Sequence, residues 1–173
     1  MANVQVVTLA PEEWHLYKQI RLEMLLIDPQ AFGSSYADVL QRPDSHWQNR
    51  LIEARAGEKS WLLFAKEEEH LTGMIGAYRA EESQVVDIIS VFVRKEKRKL
   101  GVGSALMTAI LAEVSKSGAF RKAVLGVNAD QTAAVALYQR FGFKIIGEKT
   151  GVQGDGNTYT GYIMEKELSN TPG

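Results

Sequence analysis

The sequence predicts a mixed α/β fold of the α+β kind, with a single, mostly antiparallel sheet flanked by helices. Three observations lead there. The apolar period changes from helical to alternating after Gly57. Three strands then follow one another, as in an antiparallel meander, and the later strand-helix-strand steps suggest parallel crossovers. The expected order is β-α-α-β-β-β-α-β-α-β-β, in one domain over residues 1–173 with its core at 3–168.

Val4, Val6 and Val7 make a short first strand, ended by Ala10 and Pro11. Pro11 suits a first helical turn, and Glu12 and Glu13 favour its positive end. Trp14, Tyr17, Ile20, Arg21, Met24, Leu25 and Ile27 recur at helical spacing until Asp28 and Pro29 stop the helix. Residues 30–36 read as an ordered loop. Asp44 or Ser45 caps a second helix through Trp47, Leu51 and Ile52, ending near Gly57. Residues 61–66, 71–80 and 85–93 are strands joined by polar turns, and 94–103 is a basic connection bearing glycines. Val102, Ala105, Leu106, Ala109, Ile110 and Val114 mark an amphipathic helix closed by Gly118. Residues 123–127 form a strand, 133–140 a helix stopped by Gly142, and 144–146 and 159–168 two closing strands around the glycine-rich stretch 151–157.

The chain has 173 residues, 45% of them hydrophobic and 24% charged, which is enough apolar surface for a folded core. Twenty basic against twenty-one acidic residues give a net charge of −1, so no global field favours nucleic acid or an anionic membrane, and neither is expected as a partner. With no cysteine there is neither a disulfide nor a thiolate ligand or nucleophile, and His15, His46 and His70 are not spaced as a metal pair. No metal is expected. The first ten residues do not read as a leader and no apolar run approaches a membrane span, so the expected location is cytoplasmic.

The segment Arg98-Lys99-Leu100-Gly101-Val102-Gly103-Ser104 joins a strand to a helix. Its glycines let main-chain N–H groups turn toward one anion, the helix start adds partial positive charge, and Arg94, Lys95 and Lys97 add formal charge. The segment reads as a phosphate cradle or, more plainly, as a solvated basic turn. A P-loop is disfavoured because Ser104 and Ala105 follow Gly103 in place of lysine and a hydroxyl residue. A dinucleotide fingerprint is disfavoured because Leu106 stands at its third small position.

The loop resembles that of the GNAT superfamily of N-acetyltransferases, whose Arg/Gln-x-x-Gly-x-Gly/Ala pattern is met by Arg98, Gly101 and Gly103. Val91 and Val93 end the preceding strand at the family's spacing. About 25 residues downstream come Asn128, Ala133-Ala134, Leu137-Tyr138 and Phe141-Gly142-Phe143, similar to the family's second signature. The run from Asp28 to Gly33 resembles a segment common in bacterial-type small-molecule members, whereas Lys95 stands where many members have proline.

The resemblance implies acetyl-CoA as co-substrate and a primary amine of a small molecule as acceptor, joined by direct attack in a ternary complex. It implies cofactor contacts from Val91, Phe92, Val93, Arg98, Lys99, Leu100, Gly101, Val102, Gly103, Ser104, Asn128, Ala133 and Tyr138. Tyr138 falls at the family's general acid; a phenol of reference pKa about 10 is protonated at neutral pH and can donate to a thiolate. Packing between helix and sheet is the plainer role for that ring. Asn128 contacts the cofactor or caps the next helix.

Asp87 stands where some members carry a glutamate, and simple alternation puts it on the face of Ile89, Val91 and Val93. It is the candidate base, through a water, or else a structural hydrogen-bonding group. Arg21, Phe32, Tyr36 and Tyr159 are candidate acceptor-pocket residues, and a homodimer is compatible with the sequence. The rival readings are a catalytically silent CoA-binding regulatory module, an acetyltransferase of protein N-termini or lysines, and an unrelated nucleotide-binding domain.

Overall fold

The computed structural model describes residues 4–169; the ends of the expected domain, 1–3 and 170–173, lie outside the described residues. In chain order the elements are β1 (Gln5–Val7), α1 (Trp14–Ile27), α2 (Tyr36–Leu40), α3 (Asp44–Ala56), β2 (Ser60–Glu67), β3 (His70–Arg79), β4 (Val85–Val93), α4 (Val102–Ser115), β5 (Lys122–Asn128), α5 (Thr132–Arg140), β6 (Lys144–Val152) and β7 (Thr158–Glu167). The strands form one seven-stranded sheet in the order β1-β2-β3-β4-β5-β7-β6. Among the described residues only β4 and β5, joined through α4, are parallel neighbours. Among the described residues no helix is long and apolar enough to cross a membrane, and no group of three or more His, Cys, Asp or Glu could hold a metal ion.

Both faces of the sheet are covered at β2 and β3, which is why these strands read as nearly unbroken apolar runs. Leu62, Phe64, Met74 and Phe92 meet Tyr17, Ile20 and Met24 of α1 and Trp47 and Leu51 of α3. Tyr17 sits edge-on to Trp47 and Phe64, with ring centroids 5.1 and 5.7 Å apart. On the other face Trp61, Leu63, Ile75, Val86 and Ile88 meet Leu106, Met107, Ile110 and Val114 of α4.

Four features depart from the sequence expectation. Residues 36–40 form the short α2, because the Ser35 hydroxyl accepts the Asp38 N–H at 3.2 Å and so caps a turn too short to show periodicity. Strand β6 runs on to Val152, since its glycine-bearing half pairs with β7 from Gly147↔Ile163 to Val152↔Thr158. The step from β5 to β6 is not a simple crossover: β7 returns between them, antiparallel to both.

The fourth concerns β4. Gly76 pairs with Ile89 but Met74 pairs with Phe92, so β4 carries one extra residue there, and Ser90 takes a left-handed φ of 56°. The bulge resets the alternation. Val91 and Val93 join Val86 and Ile88 on the α4 face, whereas Phe92 joins the α1 core. Asp87, between Val86 and Ile88, is therefore on the opposite face from Val91 and Val93, contrary to simple alternation.

Gly73 makes this bend fit: a Cβ there would lie 2.7 Å from the Phe92 carbonyl oxygen and 3.1 Å from Leu106 Cδ1. Gly73→Ala is expected to cost about 1–3 kcal/mol through overpacking, measured as a lower denaturant midpoint with an unchanged m value.

Candidate active site

Strands β4 and β5 pair only at Val85↔Lys122, Val86↔Ala123 and Asp87↔Val124. Beyond those three pairs they part, and a cleft of about 360 Å³ opens between them. Ile88 to Val93 of β4 make one wall and Leu125 to Asn128 of β5 the other. The near end is closed by Arg98, Lys99, Gly101, Gly103 and Ser104, and α5 adds Ala133, Ala134, Leu137 and Tyr138. Eleven of the thirteen expected cofactor residues thus line one cleft. Leu100 and Val102 do not: Leu100 is exposed, and Val102 is 2% exposed with its side chain in the α4 core.

The loop has the geometry of an anion cradle. Lys99 and Gly101 both take left-handed φ values, 63° and 86°, and Gly101 is the N-cap of α4. No side chain caps this fourteen-residue helix, and a Cβ on Gly101 would meet nothing within 4 Å. The first N–H groups of α4 are thus left for a ligand or water. Gly103 serves packing, because a Cβ there would lie 3.1 Å from Leu137 Cδ2 of α5.

The basic run is less cationic than its sequence suggests. Arg94 pairs with Glu23 at 2.7 Å, Lys97 with Glu67 at 2.5 Å, and Arg98 with Asp28. Arg98 Nε also donates to the Val93 carbonyl at 2.8 Å, so this side chain fastens the loop to the end of β4. Lys95 and Lys99 are exposed and have no carboxylate partner among the described residues.

Tyr138 is 6% exposed, yet it borders the cleft, with its ring edge-on to Phe143 at 6.3 Å. Burial pushes its phenol well above the ordinary tyrosine value, so it is protonated at any physiological pH. Asn128, 2% exposed, has both ends of its amide engaged: Nδ2 donates to the Gln30 carbonyl and Oδ1 accepts the Asp130 N–H, each at 2.9 Å. It borders the cleft as a clamp more than as a free donor. Asp87 lies opposite Tyr78 on β3 and lines no cleft itself, although Ile88 and Ile89 beside it do. Burial raises its carboxyl above the usual range, and the Tyr78 phenol pulls it partway back.

A second cleft, of about 540 Å³, continues from the first. The two share Ala31, Phe32, Ile88, Ile89, Ser90, Gly126, Val127 and Asn128. Arg21, Phe32 and Tyr159 line this second cleft. Tyr36 does not; it packs beside the α1–α3 core from the first turn of α2. Ser34, Ser90, Lys149 and Gln153 also line it. Of these, Ser90 carried a readable signal, a hydroxyl amid an apolar strand. Lys149, Gln153 and Tyr159 come from the β6–β7 hairpin, where the Tyr159 hydroxyl and Asp155 Oδ2 lie 2.6 Å apart. That bond raises the Tyr159 phenol and lowers the Asp155 carboxyl.

The chain from Asp28 to Ser34 spans both clefts and, besides the Ser34 hydroxyl that accepts from Arg21 Nη2 at 3.5 Å, is held at three places. Arg98 pairs with Asp28, Asn128 binds the Gln30 carbonyl, and the Gly154 N–H donates to the Phe32 carbonyl at 2.7 Å. The last contact requires glycine, since a Cβ on Gly154 would collide with the Ser34 carbonyl oxygen.

A family model described as the acetyltransferase (GNAT) family matches residues 17–143. Human N-acetyltransferase 8 is 26% identical over 152 residues, covering 86% of this chain and 60% of that protein. The chain therefore spans about 60% of the length of this relative. A 5-NmdU N-acetyltransferase of Pseudomonas phage PaMx11 is 28% identical over 99 residues, 57% of this chain and 68% of that one. Among solved structures, an acetyltransferase of the GNAT family from Streptococcus pneumoniae has a TM-score of 0.84 at 20% identity, covering 96% of this chain and all 100% of that one. The structure of yncA from Salmonella typhimurium, with its cofactor acetyl-CoA, has a TM-score of 0.81 at 15% identity, covering 99% of this chain and 97% of that one. These two likenesses show the fold.

Asn128→Ala leaves the Gln30 carbonyl and the Asp130 N–H without their partner. The expected loss is about 1–3 kcal/mol of stability. Limited proteolysis should meanwhile cut faster between Asp28 and Ser34; unchanged cleavage would mean that the other two anchors suffice.

Proposed function

Because the chain belongs to the GNAT acetyltransferase family, we propose that it is an N-acetyltransferase moving an acetyl group from acetyl-CoA to a primary amine of a small molecule, in a ternary complex. Residues 1–173 are read as one such domain. The observation that carries this reading is the meeting of two clefts at the β4 bulge, one beside an anion cradle and the other open to an acceptor. The relatives named as N-acetyltransferases support nitrogen as the acceptor atom.

The residues present fit the cofactor. Free N–H groups at the start of α4, with exposed Lys99, suit a pyrophosphate. The main-chain edge of β4 past Asp87, which has no strand beside it, suits the amides of a pantetheine arm, as an added strand would. Gly126 leaves the opposite wall open, for a Cβ there would meet nothing within 4 Å. When bound, acetyl-CoA supplies an acetyl group activated as a thioester.

Tyr138 holds the proton that the departing sulfur needs. Its raised pKa keeps that proton in place at neutral pH. The ammonium of the acceptor must first lose a proton, and no carboxylate lines either cleft except Asp28, which Arg98 already pairs. Asp87 acts as the base through water; it adjoins Ile88 and Ile89 on β4, both of which line the two clefts, and its carboxyl is raised by burial. A broad amine screen with acetyl-CoA, read by thiol release, tests the activity as a whole. Acetyl-CoA binding without turnover of any amine or peptide would instead favour a silent CoA-binding module.

Tyr138→Phe keeps the packing and removes only the hydroxyl. Acetyl-CoA affinity should hold in calorimetry while kcat falls by about 10²–10⁴-fold. The loss should shrink with an acyl donor that releases a more acidic thiol; full rate with acetyl-CoA would remove Tyr138 from the proton path.

Asp87→Asn should lower kcat and remove the acidic limb of the pH–rate profile, a limb lying above the ordinary carboxylate range. Stability should move the other way. A carboxyl raised by folding favours the folded state only below its unfolded pKa, and that advantage is lost as pH rises through the raised value. At pH 7 the uncharged asparagine should therefore leave the melting temperature equal or higher, and a clear fall would give Asp87 a structural role instead.

A further inference from the structure

The second cleft is lined by two cations, Arg21 and Lys149, and by no aspartate or glutamate. Arg21 reaches it from α1. Its Nη1 donates to Ser90 Oγ at 3.2 Å, with Met24 Sδ 3.5 Å away, and its Nη2 donates to Ser34 Oγ at 3.5 Å. All three acceptors are neutral. No ion pair within 4.0 Å engages Arg21 among the described residues, whereas Arg94 and Arg98 nearby each hold a carboxylate.

Such an arginine is unusual. A guanidinium carries five N–H donors in a planar fork matched to a two-oxygen anion, and taking it out of water is costly unless an anion is supplied. Burial lowers its pKa from the ordinary arginine value, Tyr17 opposes that, and Arg50 and Arg42 lower it further. Its surroundings therefore concentrate positive charge, with no carboxylate paired to it among the described residues. Ser90 stands on the bulge that both clefts share, so an anion held by Arg21 lies on the wall leading to the β4–β5 opening.

We propose that the acceptor is an amine that also carries a carboxylate, and that Arg21 holds this carboxylate with the Ser34 and Ser90 hydroxyls beside it. Lys149 adds a second positive charge from the hairpin. The proposal rests on reading this cleft as the acceptor site of an acetyltransferase. It sets the enzyme against polyamines, whose several ammonium groups would meet two cations and no counter-charge.

Initial rates with acetyl-CoA over matched acceptors test it. The set comprises the standard amino acids, β-alanine and γ-aminobutyrate, the amino alcohols in which CH₂OH replaces each carboxylate, phosphoethanolamine and spermidine. The best amino carboxylate should show a KM about 10–100-fold below that of its alcohol, the range expected of a charge-assisted pair. Arg21→Gln should raise the carboxylate KM by a similar factor and the alcohol KM much less, and Arg21→Lys should restore part of the preference. Circular dichroism and acetyl-CoA calorimetry establish that each variant is folded; should Arg21→Gln not fold, the wild-type carboxylate-to-alcohol ratio decides alone. Equal KM values, a preference for spermidine or phosphoethanolamine, or acetyl-CoA binding with no amine acetylated would overturn the carboxylate assignment while leaving cofactor binding intact. Failure to bind acetyl-CoA at all would overturn the acetyltransferase reading beneath it.

Discussion

Three residue pairs join β4 to β5, and the rest of the site follows from the fact that there are no more. Inside a sheet covered on both faces, separated strands leave main-chain N–H and C=O groups that must find partners. The space between them is thus polar along its walls and apolar at its sides, where Leu125, Val91 and Leu137 stand. The bulge at Ser90 and the glycine at 73 belong to the same device. The extra residue turns β4 after Ile89, and Gly73 lets the Phe92 carbonyl lie against β3 where any side chain would obstruct it. A left-handed serine is a backbone state costing of order 1–3 kcal/mol, and it persists here in the middle of a well-packed strand where both clefts meet.

Charge is distributed around this opening with some economy. Three of the five cations near the loop are tied down by Glu23, Glu67 and Asp28, so they shape the segment more than they attract a ligand. The remaining attraction comes from the α4 start and from exposed lysines. Such exposed charges are screened by salt, whereas the helix start is a fixed feature of the backbone. In the second cleft the pattern is inverted: the half-buried Arg21 donates to hydroxyls and a thioether and to no carboxylate among the described residues.

Much of this is legible in the sequence, and the exceptions share a physical cause. The helices, the meander and the glycine loop follow from local periodicity and local turn chemistry, which single residues such as Gly101 and Pro11 express directly. The misread face of Asp87 came from assuming unbroken alternation through Ser90, and a bulge is invisible to a period of two. Asn128 and Arg98 line the cleft as expected, but their anchoring to Gln30 and Asp28 is not legible, because those partners are distant in sequence and lie at or beside the stretch that reads as an ordered loop. Lys149 and Gln153 escape the sequence for the converse reason: β7 inserts between β5 and β6 and carries a hairpin to the second cleft, and nothing local in residues 144–157 announces that topology.

The stretch from Asp28 to Ser34 borders both clefts at once and is fastened to the α4 loop, to the end of β5 and to the β6–β7 hairpin. Two ligands that press on one shared strap cannot have independent affinities. If the donor draws the strap inward and tightens acceptor binding by some factor, the acceptor must tighten donor binding by that same factor. On the proposed reading of the two clefts, that coupling would reside in the seven residues 28–34. Changes at Gly154 or Asp28 would then alter the coupling between two ligands without touching the groups proposed to react.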